Sequence, residues 1–217
     1  MTLAGYTDLI KHLPFEDQAF ATQKATWAPF RNRIQFSKFY NTCFSNDDAI
    51  TLSRGEILRM AQSDCDKAVL SVILWGYPRG YTRANNAAKS FPLFLKQAEP
   101  LTNWLQEHKD VRIEELEAML KSCKGVGLST LSKLLYFFNA KLDGNPCLIM
   151  DARIVDVLSR GLFSELNELS TVREHNKVKH YSNYLKVCSE LSKNNKYKPD
   201  QLELFLFMFG NNLKQSL

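Results

Sequence analysis

The sequence predicts an all-α protein, and three observations support this fold class. Apolar residues recur at helical spacing along most of the 217-residue chain, and helix-capping patterns precede some of these stretches. No alternating strand pattern is long enough to outweigh them, and "CLIM" is the one candidate strand. Apolar residues make up 45% of the chain and charged residues 24%, which is typical of a folded globular protein.

The first half of the chain contains two clear helix predictions and one loop. "SRGEILRMAQS" opens with Ser53 and carries Glu56 three residues later, which is a capping box. "DKAVLSVILWG" is apolar on nearly every side, which predicts a buried helix ending at Gly76. Turn residues make "YPRGYTRANN" a loop. A helix is then expected to start near Asn85–Asn86, with Pro92 bending or ending it.

The second half of the chain continues the helical pattern. "EPLTNWLQEH" and "RIEELEAMLKSC" are amphipathic, the latter with apolar residues at helical spacing from Ile113 to Leu120. Four further helices are predicted in "STLSKLLYFFNA", "DARIVDVLSRGLF", "HYSNYLKVCSELSKN" and "PDQLELFLFMFG". We expect residues 1–50 to form an N-terminal helical segment that packs on a core of residues 51–217.

Composition excludes several classes of protein. Lys plus Arg (28) exceeds Asp plus Glu (23), and the resulting charge of +5 permits an anionic partner without requiring one. The five cysteines are irregularly spaced and form no C-x-x-C, which indicates reduced thiols rather than disulfides or a zinc site. The N-terminus lacks a secretion signal, and the longest apolar run is too short to span a bilayer. We expect a cytoplasmic monomer with no metal, cofactor or membrane contact.

One stretch combines a turn motif with two candidate catalytic residues. "KSCKGVGLSTLSKLLYFFNAKLDGNPCLIMDARIVDVL" predicts a helix, a Gly-Val-Gly turn and a second helix, that is, a helix-hairpin-helix. The glycines Gly125 and Gly127 would let the backbone approach a phosphate, which the N–H groups of the following helix start would bind. A plain helical hairpin with glycine caps is the alternative.

Lys133 and Asp151 are the candidate catalytic residues of this stretch. Lys133 lies amid "LLYFF", where it either reaches out to solvent or is held partly desolvated. Desolvation lowers a lysine pKa and makes the amine a nucleophile. Asp151 begins "DARIVDVL" and is either only the N-cap of that helix or a cap that also catalyses. Both roles are compatible, because the cap fixes the carboxylate and the helix N-terminus favours its charge.

This order of helix, "GVG", helix, loop and aspartate resembles the helix-hairpin-helix DNA glycosylase superfamily, specifically its 8-oxoguanine DNA glycosylase branch. "LWGYPRG", "NNAA", "GVGLSTLSKLLYFF", "PCLIMDARI" and "LELFLFMFG" are most similar to the compact prokaryotic members. The resemblance implies a two-lobed helical fold that binds double-stranded DNA between its lobes and excises a modified base. Oxidised guanine is the default lesion, and other modified bases, including those of invading DNA, are the alternatives.

The resemblance also implies which residues contact DNA. Asn85 and Asn86 would fill the gap left by an extruded base, and Lys89 would face the orphaned partner base. Loop and hairpin residues would contact phosphates, and they are Arg79, Arg83, Lys124, Gly125, Gly127 and Ser129. Residues of the last helix would line the base pocket, and they are Glu203, Phe205 and Phe209. Simple solvation of the two arginines, and a purely core role for the two phenylalanines, remain open.

The position of the lysine leaves the mechanism open. The usual catalytic lysine of the family would fall at Ser129, and serine there is typical of monofunctional members. Lys133 lies one turn later on the same helix face. Either its amine attacks C1′ and forms a Schiff base that permits β-elimination, or a water positioned by Asp151 attacks and leaves an abasic site. A non-enzymatic DNA-binding module would need the two hairpin glycines but neither of these side chains.

Overall fold

The computed structural model describes residues 1–81 and 87–213, and for residues 87–89 it describes the backbone alone. Within these ranges the helices are α1 (Thr7–Lys11), α2 (Lys24–Trp27), α3 (Ile34–Cys43), α4 (Arg54–Ser63), α5 (Cys65–Gly76), α6 (Ala87–Glu107), α7 (Ile113–Ser122), α8 (Leu128–Phe137), α9 (Ala152–Ser159), α10 (Lys177–Asn195) and α11 (Pro199–Phe209). The strands are β1 (Ala19–Gln23), β2 (Ala49–Ser53), β3 (Asp110–Val111), β4 (Lys141–Leu142) and β5 (Asn145–Pro146). Short 3₁₀ helices cover Leu3–Tyr6, Phe15–Asp17, Ala28–Phe30, Ser164–Leu169 and Gly210–Asn212. The predicted helical class is confirmed in this coarse sense.

Helices α4 and α5 form as the sequence predicts. The Ser53 hydroxyl accepts a hydrogen bond from the Glu56 N–H at 3.2 Å, and the Glu56 carboxylate accepts one from the Ser53 N–H at 2.7 Å. This reciprocal capping box starts α4. Helix α5 ends at Gly76, and its residues 68–75 are all buried. An apolar helix of this kind belongs at the centre of the molecule.

Helix α6 does not end at Pro92, which is one of the two outcomes predicted for this proline. The helix is continuous over 21 residues and contains both Pro92 and Pro100. Each proline removes one backbone donor and costs about 3 kcal/mol in a helix interior. Phe91 and Phe94 are fully buried in the same helix. Burial of two such rings contributes about 1.5–3 kcal/mol each, which offsets the cost of the prolines.

Two small sheets are the main feature that the sequence does not reveal. Strand β1 pairs antiparallel with β2, with Ala19 opposite Ser53. The other sheet has the order β3-β4-β5, and its last strand ends just before "CLIM", which is not a strand. These strands span two to five residues, too few to show an alternating pattern. The expected division between residues 50 and 51 falls inside β2, so the N-terminal segment shares a sheet with the rest of the chain.

Helix packing brings distant parts of the sequence together around α8. Helices α4 and α5 both pack against α8, and α11 packs against α9 and α10. One region beside α11 therefore contains the first residue of α4, the last turn of α5, the middle of α8 and the start of α9. Among the described residues, no helix is both long and apolar enough to cross a bilayer.

Candidate active site

A cavity of about 370 Å³ lies where these elements meet. It is lined by Phe20, Arg54, Trp75, Gly76, Pro78, Arg79, Lys133, Ile149, Asp151, Arg153, Glu203 and Phe207. Four of the residues that the sequence singles out therefore share one cavity, namely Arg79, Lys133, Asp151 and Glu203. The volume falls within the range of about 300–1,000 Å³ that is usual for small-molecule sites.

Lys133 is buried in the wall of this cavity, with only 3% of the residue exposed. Its ammonium donates a hydrogen bond to the Ser129 carbonyl oxygen at 3.0 Å and lies 3.6 Å from an Asp151 carboxylate oxygen. The same nitrogen lies 5.3 Å from the centroid of the Tyr77 ring. Burial lowers the pKa of Lys133, and the negative charge of Asp151 opposes that shift. Such a setting increases the share of neutral amine, the nucleophilic form.

Gly76 provides the space through which the Lys133 side chain reaches the cavity. A Cβ atom at this position would lie 2.8 Å from the Lys133 Cδ and 3.0 Å from its Cε. Real Cβ atoms essentially never come that close, so any larger residue would displace the lysine stem. Gly76 therefore leaves space for the Lys133 side chain, in addition to ending α5.

Asp151 serves as a helix cap and an ion-pair partner at once. One carboxylate oxygen accepts hydrogen bonds from the N–H groups of Arg153 at 3.0 Å and Ile154 at 3.2 Å, which caps α9. The other carboxylate oxygen faces Lys133. Because the cap fixes the side-chain rotamer, the carboxylate is held beside the lysine and at the cavity wall. The structure therefore shows the cap, and the catalytic role of Asp151 stays a prediction.

A fully buried ion pair of Arg54 and Glu203 closes one side of the cavity. An Arg54 Nη1 atom donates to a Glu203 oxygen at 2.7 Å, and both side chains have 0% exposure. The guanidinium carbon lies 4.9 Å from the Tyr136 ring centroid and 5.5 Å from that of Trp75. Gln18 accepts a further hydrogen bond from the Arg54 Nη2. Burial raises the pKa of Glu203, and the charge of Arg54 opposes that shift.

Each member of this pair keeps one polar atom without a hydrogen-bond partner among the described residues. These atoms are the Arg54 Nε and the Glu203 Oε1. Buried polar groups are rarely left unpaired, and leaving one so costs about 1–3 kcal/mol. One buried donor and one buried acceptor are therefore left unpaired in two residues that line the cavity. The sequence alone does not identify Arg54. The one indication is Glu203, a glutamate amid apolar residues, which requires a cationic partner.

The aromatic side chain that α11 presents to the cavity is Phe207. Phe205 is fully buried and packs on Tyr6 and Phe163, at centroid distances of 5.1 and 5.9 Å. Phe209 lies against Phe205 at 5.7 Å. Neither lines this cavity, and their expected place in a base pocket stays a prediction. Residues two positions apart lie on roughly opposite faces of a helix, so the face of Glu203 includes Phe207 instead.

The hairpin lies one turn before Lys133. Gly125 has φ +89°, a conformation that glycine adopts without strain, and its carbonyl oxygen accepts a hydrogen bond from the Tyr81 hydroxyl at 2.8 Å. Gly127 is the N-cap of α8. The Ser129 hydroxyl accepts a hydrogen bond from the Lys177 ammonium at 2.7 Å, and that ammonium also pairs with Glu174 at 2.7 Å.

The remaining predicted DNA contacts are only partly described. Lys124 and Arg79 are exposed, the first in the hairpin turn and the second at the cavity. Arg83, Asn85 and Asn86 lie outside the described residues, and Lys89 lies on α6 with its side chain undescribed. Across residues 1–81 and 87–213, no group of three or more His, Cys, Asp or Glu side chains is placed to hold a metal ion.

Comparison with known families agrees with this geometry. Residues 14–207 match the family described as "OGG: Putative 8-oxoguanine DNA glycosylase OGG-like protein". The matched range includes every residue that lines the cavity. The chain belongs to this OGG-like family of DNA glycosylases, which implies DNA as its substrate. No curated protein matches the chain, and no solved structure matches it.

Proposed function

We propose that this protein is a bifunctional, compact prokaryotic-type DNA glycosylase that excises a modified base through Lys133 and then cleaves the strand. The observation that carries the proposal is the Lys133 amine, buried at a cavity wall and 3.6 Å from Asp151. We expect it to act as a cytoplasmic monomer on double-stranded DNA, held between two lobes.

The chemistry follows from the charges at the cavity. Extruding the target base costs a few kcal/mol of stacking and pairing. As the N-glycosidic bond breaks, its electron pair leaves with the base and positive charge develops on the sugar. The Asp151 carboxylate stabilises that charge. The neutral Lys133 amine then forms a bond to C1′, and loss of its proton and opening of the sugar ring give a Schiff base. Removal of a C2′ proton expels the 3′ phosphate by β-elimination.

Base recognition is assigned to Phe207 together with the Arg54–Glu203 pair. The half-buried Phe207 ring offers a stacking face, and the Arg153 guanidinium lies 4.7 Å from its centroid. The Glu203 Oε1 can accept a hydrogen bond from a base, and the Arg54 Nε can donate one. A carboxylate only accepts, so it favours a base edge that carries N–H donors. Guanine and 8-oxoguanine have such an edge, as other bases also do, and oxidised guanine is proposed as the lesion on the family resemblance.

DNA binding is assigned to a helix-hairpin-helix formed by α7, the glycine turn and α8. Backbone N–H groups at the start of α8 would bind a phosphate, with Lys124 adding charge. Arg79 at the cavity edge would contact the strand near the extruded nucleotide. Asn85, Asn86, Lys89 and Arg83 keep the roles that the family resemblance implies, as wedge, partner-base and phosphate contacts.

The second candidate is a monofunctional glycosylase in which Asp151 positions a water. The observation that favours it is Ser129, which stands at the usual place of the catalytic lysine and is hydrogen bonded to Lys177. A DNA-binding module without activity is less favoured. Such a module has no use for a cavity that contains a desolvated lysine and a buried ion pair.

Borohydride trapping decides between the two enzymatic mechanisms. Duplexes that carry a panel of modified bases are incubated with protein and borohydride, which reduces a Schiff base to a stable covalent adduct. We expect an adduct with the wild type and none with Lys133→Arg, which keeps the charge but cannot form the imine. Lys121→Ala, which removes an exposed lysine from α7, is the matched control and should still be trapped. Base excision by the wild type without any adduct would favour the Asp151–water mechanism.

A further inference from the structure

The N-terminal segment contains a basic surface to which the proposed function gives no role. Residues 18–46 include Lys24, Arg31, Arg33 and Lys38 but no Asp or Glu. Lys38 shares a surface pocket with Asp64, Asp66 and Lys67, so charges of both signs lie near it. Arg31 and Arg33 form no ion pair with any described residue. Two arginines without acidic neighbours in the sequence create a local positive field, which attracts an anionic partner.

The two arginines directly precede the most exposed large apolar side chain of the described chain. Ile34 is 86% exposed, and residues 31–35 are all exposed. A single exposed apolar residue needs no explanation by itself. Here, however, it is the first residue of α3, beside basic groups on a turn that Phe30 and Phe36 anchor in the protein. Basic residues beside an apolar tip are the combination that proteins use against the minor groove of DNA.

The segment that leads into this turn contacts the edge of the candidate active site through Thr22. The Thr22 hydroxyl donates to the carbonyl oxygen of Pro78, which lines the cavity. Further along the chain, Phe30 and Phe36 pack against Phe91 near the start of α6, at centroid distances of 5.0 and 5.1 Å. The segment thus connects the edge of the cavity with the beginning of α6. A duplex placed with its extruded base in the cavity would extend along such an edge.

We propose that Arg31, Arg33 and Ile34 form a second DNA-contacting surface, which binds the duplex beside the lesion. Arg31 and Arg33 bind backbone phosphates, and Ile34 packs against the sugars of the minor groove. This assignment rests on the proposed DNA glycosylase function. It gives the N-terminal segment a role in holding the duplex rather than in the chemistry.

The test is a salt series of DNA binding, measured by fluorescence anisotropy with an undamaged duplex. Each phosphate contact contributes about 0.9 to the slope of log K against log salt concentration. The variant Arg31→Gln/Arg33→Gln should therefore lower the slope by about two. Ile34→Ser should weaken binding at every salt concentration without changing the slope, because no charge is lost. Arg33 makes no side-chain cap to α3, so these changes should leave the helix intact.

The matched control is Lys186→Gln/Lys193→Gln, which removes two exposed positive charges from α10. It should leave the slope near that of the wild type. An unchanged slope in the arginine variant, or an equal loss in the control, would overturn the proposal. So would an Ile34→Ser variant that binds DNA normally but changes its oligomeric state, since Ile34 would then serve a protein contact.

The outcome is separable from that of the proposed function. Below saturating protein, excision by the arginine variant should fall in proportion to its weaker DNA binding, whereas the lysine control should excise at the wild-type rate. A wild-type protein that excises no base, yet shows the predicted slopes, would refute the glycosylase activity and leave this surface established.

Discussion

Two successive turns of α8 present opposite kinds of surface. The first turn follows the Gly125–Gly127 hairpin and offers backbone groups beside exposed Lys124. The second turn contains Lys133, which is buried and held by Ser129 and Asp151. Backbone groups at a helix start bind any phosphate and carry no sequence information. A desolvated amine beside a carboxylate is instead suited to one specific reaction, which is nucleophilic attack. The proposed sites of DNA binding and of chemistry thus lie on successive turns of one helix, and substitutions should affect the two functions independently.

The largest expected effect comes from removing one partner of the buried Arg54–Glu203 pair, which lies at the cavity beside Lys133. Arg54→Met leaves Glu203 buried without a counter-charge, and we expect a loss of about 3–5 kcal/mol in the free energy of unfolding. Denaturant titration measures this loss. Arg54→Met/Glu203→Met should recover most of the stability, because no buried charge remains, and should still fail to recognise the base. Recovery of excision in the double variant would contradict the assignment of the pair to base recognition.

The pH dependence of the Arg54→Met variant provides an independent check. Without Arg54, the already raised pKa of Glu203 should rise further. A carboxyl whose pKa is higher in the folded state destabilises the fold as pH rises through that pKa. The loss in the free energy of unfolding, relative to the wild type, should therefore become smaller as the pH falls to about 4.3, the ordinary glutamate pKa, and below. A deficit that is constant with pH would indicate lost packing rather than an unpaired charge.

The next effect concerns Asp151 and the chemical step alone. Asp151→Asn should lower the single-turnover rate of base excision by about 10²–10³, the usual cost of removing one electrostatic group from a transition state. Because asparagine caps helices as well as aspartate does, the start of α9 should be kept, although the buried Lys133 loses its counter-charge. Asp156→Asn is the matched control, since it removes a carboxylate from the same helix at an exposed ion pair with Arg160. Excision at the wild-type rate by Asp151→Asn would reduce this residue to a helix cap.

A third prediction uses the lowered pKa of Lys133. Only the neutral amine attacks, so the rate of borohydride trapping on DNA with a preformed abasic site should rise about tenfold per pH unit below the Lys133 pKa. The midpoint should lie below about 10.4, the ordinary lysine value. Asp151→Asn should move it lower still, because the carboxylate raises the Lys133 pKa. A shift to higher pH in that variant would contradict the proposed pairing.

The same comparison explains what the sequence could and could not predict. The hairpin turn can be predicted from the sequence, because a positive φ at position 125 favours glycine and the Gly-Val-Gly motif is short. Lys133 and Asp151 can be chosen as candidates from the sequence. Lys133 is a charged residue within an apolar run, and Asp151 is an acidic residue at a helix start. Arg54 was missed since its partner Glu203 is 149 residues away and its own neighbours are polar. The choice of Phe207 over Phe205 depends on how α11 packs, which only the tertiary fold determines.

The smallest expected effect belongs to the hairpin and tests whether its backbone binds DNA. Gly125→Ala places a Cβ on a residue with φ +89° and 3.1 Å from the Leu93 Cβ, so the turn should shift slightly. We expect affinity to fall by a few-fold, equally for undamaged and lesion-containing duplexes, with excision at saturating protein unchanged. Gly144→Ala is the matched control, because this glycine has φ +76° in the β4–β5 turn and open space around it. Both variants carry similar backbone strain, of about 1 kcal/mol. A loss of affinity confined to lesion-containing DNA, or shared by the Gly144 variant, would show that the hairpin does not hold the phosphate.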